Sequence, residues 1–123
     1  MEVFIPKRNK AQIILPSSKS ESNRMLMINH LSGNKINIKN LSDSNDTLIF
    51  QKIISCIGKQ TIFNAEDAGT AYRFSTALLS ATEGQHVLTG SNRMKQRPIG
   101  ILVDALRMLG VKIEYTEKEN FPP

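Results

Sequence analysis

The feature that most constrains this chain is an internal echo. Helix-like segments closed by glycine recur at an offset of about 50 residues. Under that shift Arg24 falls on Arg73, Gly33 lands near Gly84, and Gly58 lands near Gly110. The apolar set Ile49, Phe50, Ile53, Ile54 and Ile57 lands on Ile101, Leu102, Ala105, Leu106 and Leu109, with small gaps. Each unit reads helix, strand, helix, strand, so a tandem duplication of an α/β unit is the plainest account. With 123 residues, 40% of them apolar, two such units can build only a modest core.

The elements expected within those units follow from pattern and punctuation. Residues 11–15, AQIIL, read as a short strand stopped by Pro16. Ser18 followed by Glu21 is a capping box that starts a helix with Met25, Leu26, Ile28 and Leu31 at partial helical spacing, closed by Gly33. Residues 35–39, KINIK, alternate like a half-buried strand. A second helix spans about 45–57 and turns Ile49, Ile53, Ile54 and Ile57 to one face before Gly58. QTIFNA and QHVLTG read as strands on either side of a helix that ends at Gly84. A fourth helix carries Pro98 in its first turn and ends at Gly110, and VKIEYT, 111–116, reads as a last strand.

Charge narrows the partners. Sixteen Lys and Arg against eleven Asp and Glu leave +5, which suits an anion: nucleic acid, an acidic membrane surface or a phosphorylated metabolite. Cys56 is the one cysteine, so neither an intrachain disulfide nor a cysteine zinc cluster is expected, and it reads as a structural residue in an apolar helix. His30 and His86 read as incidental, and no metal site is expected. No apolar run approaches the roughly 20 residues of a membrane span. The start MEVFIPKRNK lacks the apolar core of a signal peptide, so a cytoplasmic location is the default expectation.

There is no Gly-x-Ser-x-Gly elbow and no nucleotide P-loop. Instead three helix starts share one decoration: Ser17-Ser18-Lys19-Ser20 with Arg24, Asp67-Ala68-Gly69-Thr70 with Arg73, and the run Arg93 to Pro98 with Arg97. A helix start exposes free backbone N–H groups and the positive end of the macrodipole, and small residues there let an anion come close. Arg adds a two-pronged fork for phosphate or carboxylate, Lys a compact charge. Taken singly, each start is more often a solvated helix end or a surface ion pair. On residues alone the chain is an α/β module with anion sites. That leaves open a stand-alone module for phosphate esters or RNA, although five Phe and two Tyr give few stacking positions for bases.

In this order the three segments resemble the enolpyruvyl transferase family, and within it the EPSP synthases. LPSSKSESNR is similar to that family's P-G-S-K-S-x-S-N-R segment, DAGTAYRF to N-A-G-T-x-x-R, and LTGSNRMKQRPIGILVDALRMLG to its L-T-G-x-x-R-M-x-x-R-P-I segment and the helix that follows. The resemblance covers nearly the whole chain. It implies transfer of the enolpyruvyl group of phosphoenolpyruvate to the 5-hydroxyl of shikimate 3-phosphate, with release of phosphate and no metal or organic cofactor. Lys19 would be catalytic and touch phosphoenolpyruvate beside both substrates. Ser20 and Arg24 would bind shikimate 3-phosphate, Gly69 and Arg97 phosphoenolpyruvate, with Thr70, Arg73 and Arg93 in support. Asp67 stands where the family has Asn, and Ser17 where it has Gly.

The family's fold is two similar domains of three β-α-β-α-β-β units each, with the site in the cleft between them. The resemblance therefore implies that this chain is an N-terminal fragment, inactive alone. Residues 1–14 would pack with a missing second domain, and 15–123 would be a partial substrate-binding domain of about two units, 15–66 and 67–123. The partners implied are the two small molecules and the rest of the chain, with neither nucleic acid nor membrane. Uncovered strands at 11–15 and 111–116 lead to the expectation that the fragment self-associates.

Overall fold

The computed structural model describes residues 12–123. In chain order the elements are α1 (Lys19–Leu31), α2 (Asn45–Cys56), β1 (Ile62–Asn64), α3 (Gly69–Ser80), β2 (Val87–Thr89), a 3₁₀ turn (Met94–Gln96) and α4 (Gly100–Met108). β1 and β2 pair in parallel, Ile62 with Val87, Phe63 with Leu88 and Asn64 with Thr89. Parallel neighbours need a crossover, and α3 supplies it. Tyr72 fastens that crossover, its hydroxyl donating to the Leu88 carbonyl at 2.9 Å. The α/β class expected from the sequence is the one found, as four α-helices and a two-stranded sheet among the described residues.

The core lies where α2, α3 and the β1–β2 pair meet. Phe50, Phe63 and Ala71 are fully buried there, joined by Leu78, Met94 and Val103. Phe50 and Phe74 pack as a tilted aromatic pair with centroids 5.7 Å apart. The α2 face reads as expected: Ile49 and Ile53 are buried, and Ile54 and Ile57 pack against the cluster. The face expected of α1 is not the one buried. Ile28 and Leu31 are exposed, whereas the polar Ser22 and Asn23 are the buried residues of that helix. The Ser22 hydroxyl accepts from Ser42 N–H at 2.9 Å, so a hydrogen bond to the loop before α2 accompanies its burial.

Three expected strands are absent. Residues 12–15 form no strand, and Ala11 lies outside the described residues. Residues 35–39 and 111–116 are also without strand structure, and neither has a ladder partner among the described residues. Their polar groups go elsewhere. Ile36 N–H donates to Asn29 Oδ1 at 2.8 Å, and the Ile113 carbonyl accepts from Arg107 Nη2 at 2.6 Å. The helix ends need two corrections. α3 stops at Ser80 rather than Gly84, and α4 starts at Gly100 with Ile99 as its cap, leaving Pro98 outside the first turn. The Pro98 carbonyl instead accepts from Arg73 Nη2 at 3.0 Å.

Among the described residues no helix is long and apolar enough to cross a membrane. Nor does any group of three His, Cys, Asp or Glu lie close enough to hold a metal ion. Cys56 is half-buried at the end of α2. Apolar side chains left in the open gather on the outer face of α4, at Ile101, Met108 and Leu109, and along Ile13, Ile14 and Leu15.

Candidate functional site

The first decorated start behaves as its sequence requires. Ser18 caps α1, its hydroxyl accepting from Glu21 N–H at 3.3 Å. This fixes where the helix begins and so where Lys19 leaves it. The Lys19 ammonium lies 3.6 Å from Asp46 Oδ1 in the first turn of α2. The same carboxylate oxygen accepts from Thr70 N–H, in the first turn of α3, at 3.1 Å. One oxygen thus ties the starts of three helices together. Asp46 is the member of this group that reasoning from the sequence missed. Its place at the second position of a helix that opens with Ser44, where a carboxylate suits the free N–H groups, was the available signal.

The second and third starts meet at Gly69. A Cβ built on Gly69 would lie 2.6 Å from Arg97 Cζ and 2.8 Å from Arg97 Nη2. The Arg97 guanidinium therefore rests against the first residue of α3, in space that only glycine leaves open. Arg73 holds this junction from below. Its Nη1 donates to the Gly69 carbonyl at 3.2 Å, and its Nη2 to the Pro98 carbonyl. Because it joins the base of α3 to the segment after Arg97, Arg73 is engaged with backbone carbonyls. Gly90 contributes a second close approach, for its missing Cβ would sit 2.9 Å from the Glu66 carbonyl oxygen and against Met94. That packing brings the loop after β2 down onto the loop before α3, and Arg97 with it.

Lys19, Thr70, Gly69, Arg73 and Arg97 are therefore linked in one cluster through Asp46 and the start of α3. Of its three cations, Lys19 pairs with the Asp46 carboxylate, and Arg73 is spent on the Gly69 and Pro98 carbonyls. Ser20 and Arg24 project from α1 and are exposed, as is Arg93 beside the 3₁₀ turn, and none of the three bonds to the cluster. No carboxylate of the described residues lies within 4.0 Å of Arg24, Arg93 or Arg97. Asp67 is occupied elsewhere: it accepts a short hydrogen bond from the Ser91 hydroxyl, and it does not cap α3. The cluster is an open surface. Two concavities of the described residues include none of its members in their lining, one of about 290 Å³ between the start of α1 and residues 38–41, another of about 360 Å³ between the ends of α2 and α3.

Such an arrangement can hold a small anion. The start of α3 offers backbone N–H groups, Arg97 a fork, and Lys19 a point charge, without a metal among them. The chain is also similar to known proteins. The family model for EPSP synthase (3-phosphoshikimate 1-carboxyvinyltransferase) matches residues 3–67 and 56–123. A 3-phosphoshikimate 1-carboxyvinyltransferase of Bacteroides fragilis is 52% identical over 118 residues, covering 96% of this chain and 28% of that protein. One from Pectobacterium carotovorum is 40% identical, covering 89% of this chain and 31% of that protein. One from Vibrio cholerae is 38% identical, covering 91% and 32%. The chain thus spans about a third of the length of these curated relatives.

Proposed function

The chain belongs to the EPSP synthase family, and on that premise we propose that it supplies the phosphate-binding part of an enzyme that transfers the enolpyruvyl group of phosphoenolpyruvate to the 5-hydroxyl of shikimate 3-phosphate. The transfer runs through a tetrahedral intermediate and releases phosphate. Both substrates are multiply charged anions and must lie side by side. Preorganised cations offset their mutual repulsion and meet charge as it develops. Lys19 stands between the two substrates, Ser20 and Arg24 take shikimate 3-phosphate, and Gly69 and Arg97 take phosphoenolpyruvate. Thr70 and Arg73 shape the start of α3, and Arg93 adds positive potential. The remaining catalytic groups belong to the part of the relatives' length that this chain does not span, and a cytoplasmic location accompanies this reading.

The observation that carries the reading is the contact of the Arg97 guanidinium with Gly69, at a helix start with no side chain in the way. A fork and an open helix end converge there on one small volume. The test is an NMR titration of the ¹⁵N-labelled chain with phosphoenolpyruvate and with shikimate 3-phosphate. Amides near 17–24 and 69–73 should shift, and the shifts should fade as salt rises. Shifts confined to other surfaces, or reproduced equally by single-stranded RNA, would overturn the assignment.

A further inference from the structure

The start of α3 presents a conflict. To receive an anion it must leave backbone N–H groups open, yet an uncapped helix start is unstable. Its own cap residue, Ala68, has no side-chain acceptor. The acceptor comes from another helix, since Asp46 Oδ1 takes the Thr70 N–H at 3.1 Å. The amides of Gly69 and Ala71 have no acceptor among the described residues. Asp46 does not behave as a surface carboxylate. Its side chain is 18% exposed against 47% for Lys19, and it is held from both sides. An uncompensated carboxylate here would repel the ligand, but the Lys19 ammonium at 3.6 Å neutralises it in place.

We propose that Asp46 is a positioning residue of this site: its carboxylate caps α3 from outside the helix and aims the Lys19 ammonium across that cap, so that Lys19 and Arg97 face one anionic group at the start of α3. The proposal deepens the reading of this cluster as the phosphoenolpyruvate site and rests on it for the identity of the anion. Asp46 touches no ligand in this account. It acts through Lys19 and through the Thr70 amide. The two bonds have different needs. The Thr70 amide needs only an acceptor, which Asn retains, whereas holding an ammonium needs the charge.

The experiment compares the wild-type chain with Asp46→Asn and Asp46→Ala, each ¹⁵N-labelled, first without ligand and then with phosphoenolpyruvate. Without ligand, the Lys19 ammonium should give its own ¹H–¹⁵N signal, which needs the slowed proton exchange of a held group, and both substitutions should abolish it. The Thr70 amide should move strongly in Asp46→Ala and stay near its wild-type position in Asp46→Asn. With ligand, Asp46→Ala, which loses cap and aim, should bind phosphoenolpyruvate at least tenfold more weakly, and Asp46→Asn, which keeps the cap and loses the aim, should weaken it by a clearly smaller factor, a partial rescue that a general loss of folding would not give. Should Asp46→Ala fail to fold, Asp46→Asn decides the matter alone, by loss of the Lys19 signal with the Thr70 amide in place. A wild-type chain with no Lys19 signal, a Thr70 amide indifferent to both changes, or tighter phosphoenolpyruvate binding in both variants overturns the proposal. Ligand-free signals that follow Asp46 in a chain that ignores phosphoenolpyruvate would leave the positioning role standing and remove the substrate reading instead.

Discussion

Gly69→Ala should separate binding from folding. The added Cβ would lie 2.6 Å from Arg97 Cζ. Ordinary contacts are about 3.5–4.0 Å and Arg97 Nη1 would stand closer still, so the guanidinium must retreat by roughly 1.5 Å. Arg97 is exposed and its side chain long, so this retreat costs the fold little. The backbone at Gly69 is not in the left-handed region, and Ala is favoured over Gly in a helix by up to about 1 kcal/mol. Unfolding free energy should therefore change by no more than about 1 kcal/mol in either direction. Binding should suffer more. A hydrogen bond to a charged group contributes about 1.5–3 kcal/mol, and misplacing the fork forfeits much of one, so phosphoenolpyruvate affinity should fall roughly 10- to 100-fold. Denaturant unfolding and an NMR titration of the same sample give the two numbers. An affinity within twofold of wild type would mean that Arg97 does not meet the anion at Gly69. A stability loss above about 2 kcal/mol would mean that the contact is a packing contact of the fold.

Arg73→Ala removes the tie from α3 to the Pro98 carbonyl, together with the bond within α3 to the Gly69 carbonyl, and should cost about 1–2 kcal/mol in denaturant unfolding, with amide shifts at 97–100 that Arg73→Lys only partly reverses. Phe50→Ala empties a fully buried site and should cost about 3–5 kcal/mol, whereas Leu48→Ala, at a position 52% exposed on the same helix, should cost under about 1 kcal/mol in the same assay. Burial, with a smaller contribution from Tyr115, pushes the Tyr72 phenol well above its ordinary value. The native state therefore keeps this proton where the unfolded chain loses it, so the stabilisation is complete below about pH 10 and is lost as pH climbs beyond. Thermal unfolding from pH 8 upward should show that decline, and Tyr72→Phe should be less stable at pH 8 yet flatter above pH 10; an equally steep decline in the variant would refute the assignment.

Local chemistry was legible from the sequence. The Ser18–Glu21 pattern gave the first residue of α1, and the apolar spacing of α2 gave its buried face, because a cap and a helical stripe involve residues within a few positions of each other. The residues of the anion cluster were also visible, since small residues and Arg at helix starts carry their reason with them. What they touch was not. That Arg97 rests on Gly69, that Arg73 reaches the Pro98 carbonyl, and that Asp46 joins Lys19 to Thr70 each depends on segments more than 20 residues apart arriving at one place. The strands divided along the same line. Strands were expected alike at 35–39, 60–65, 85–90 and 111–116, but side-chain pattern describes only which faces a segment would present. A strand exists when another backbone lies alongside to take its hydrogen bonds, and α3 brings only Ile62–Asn64 and Val87–Thr89 into that relation. That these segments are helical was settled by neighbours in sequence, while the face α1 buries, the sheet and the site were settled by neighbours in space.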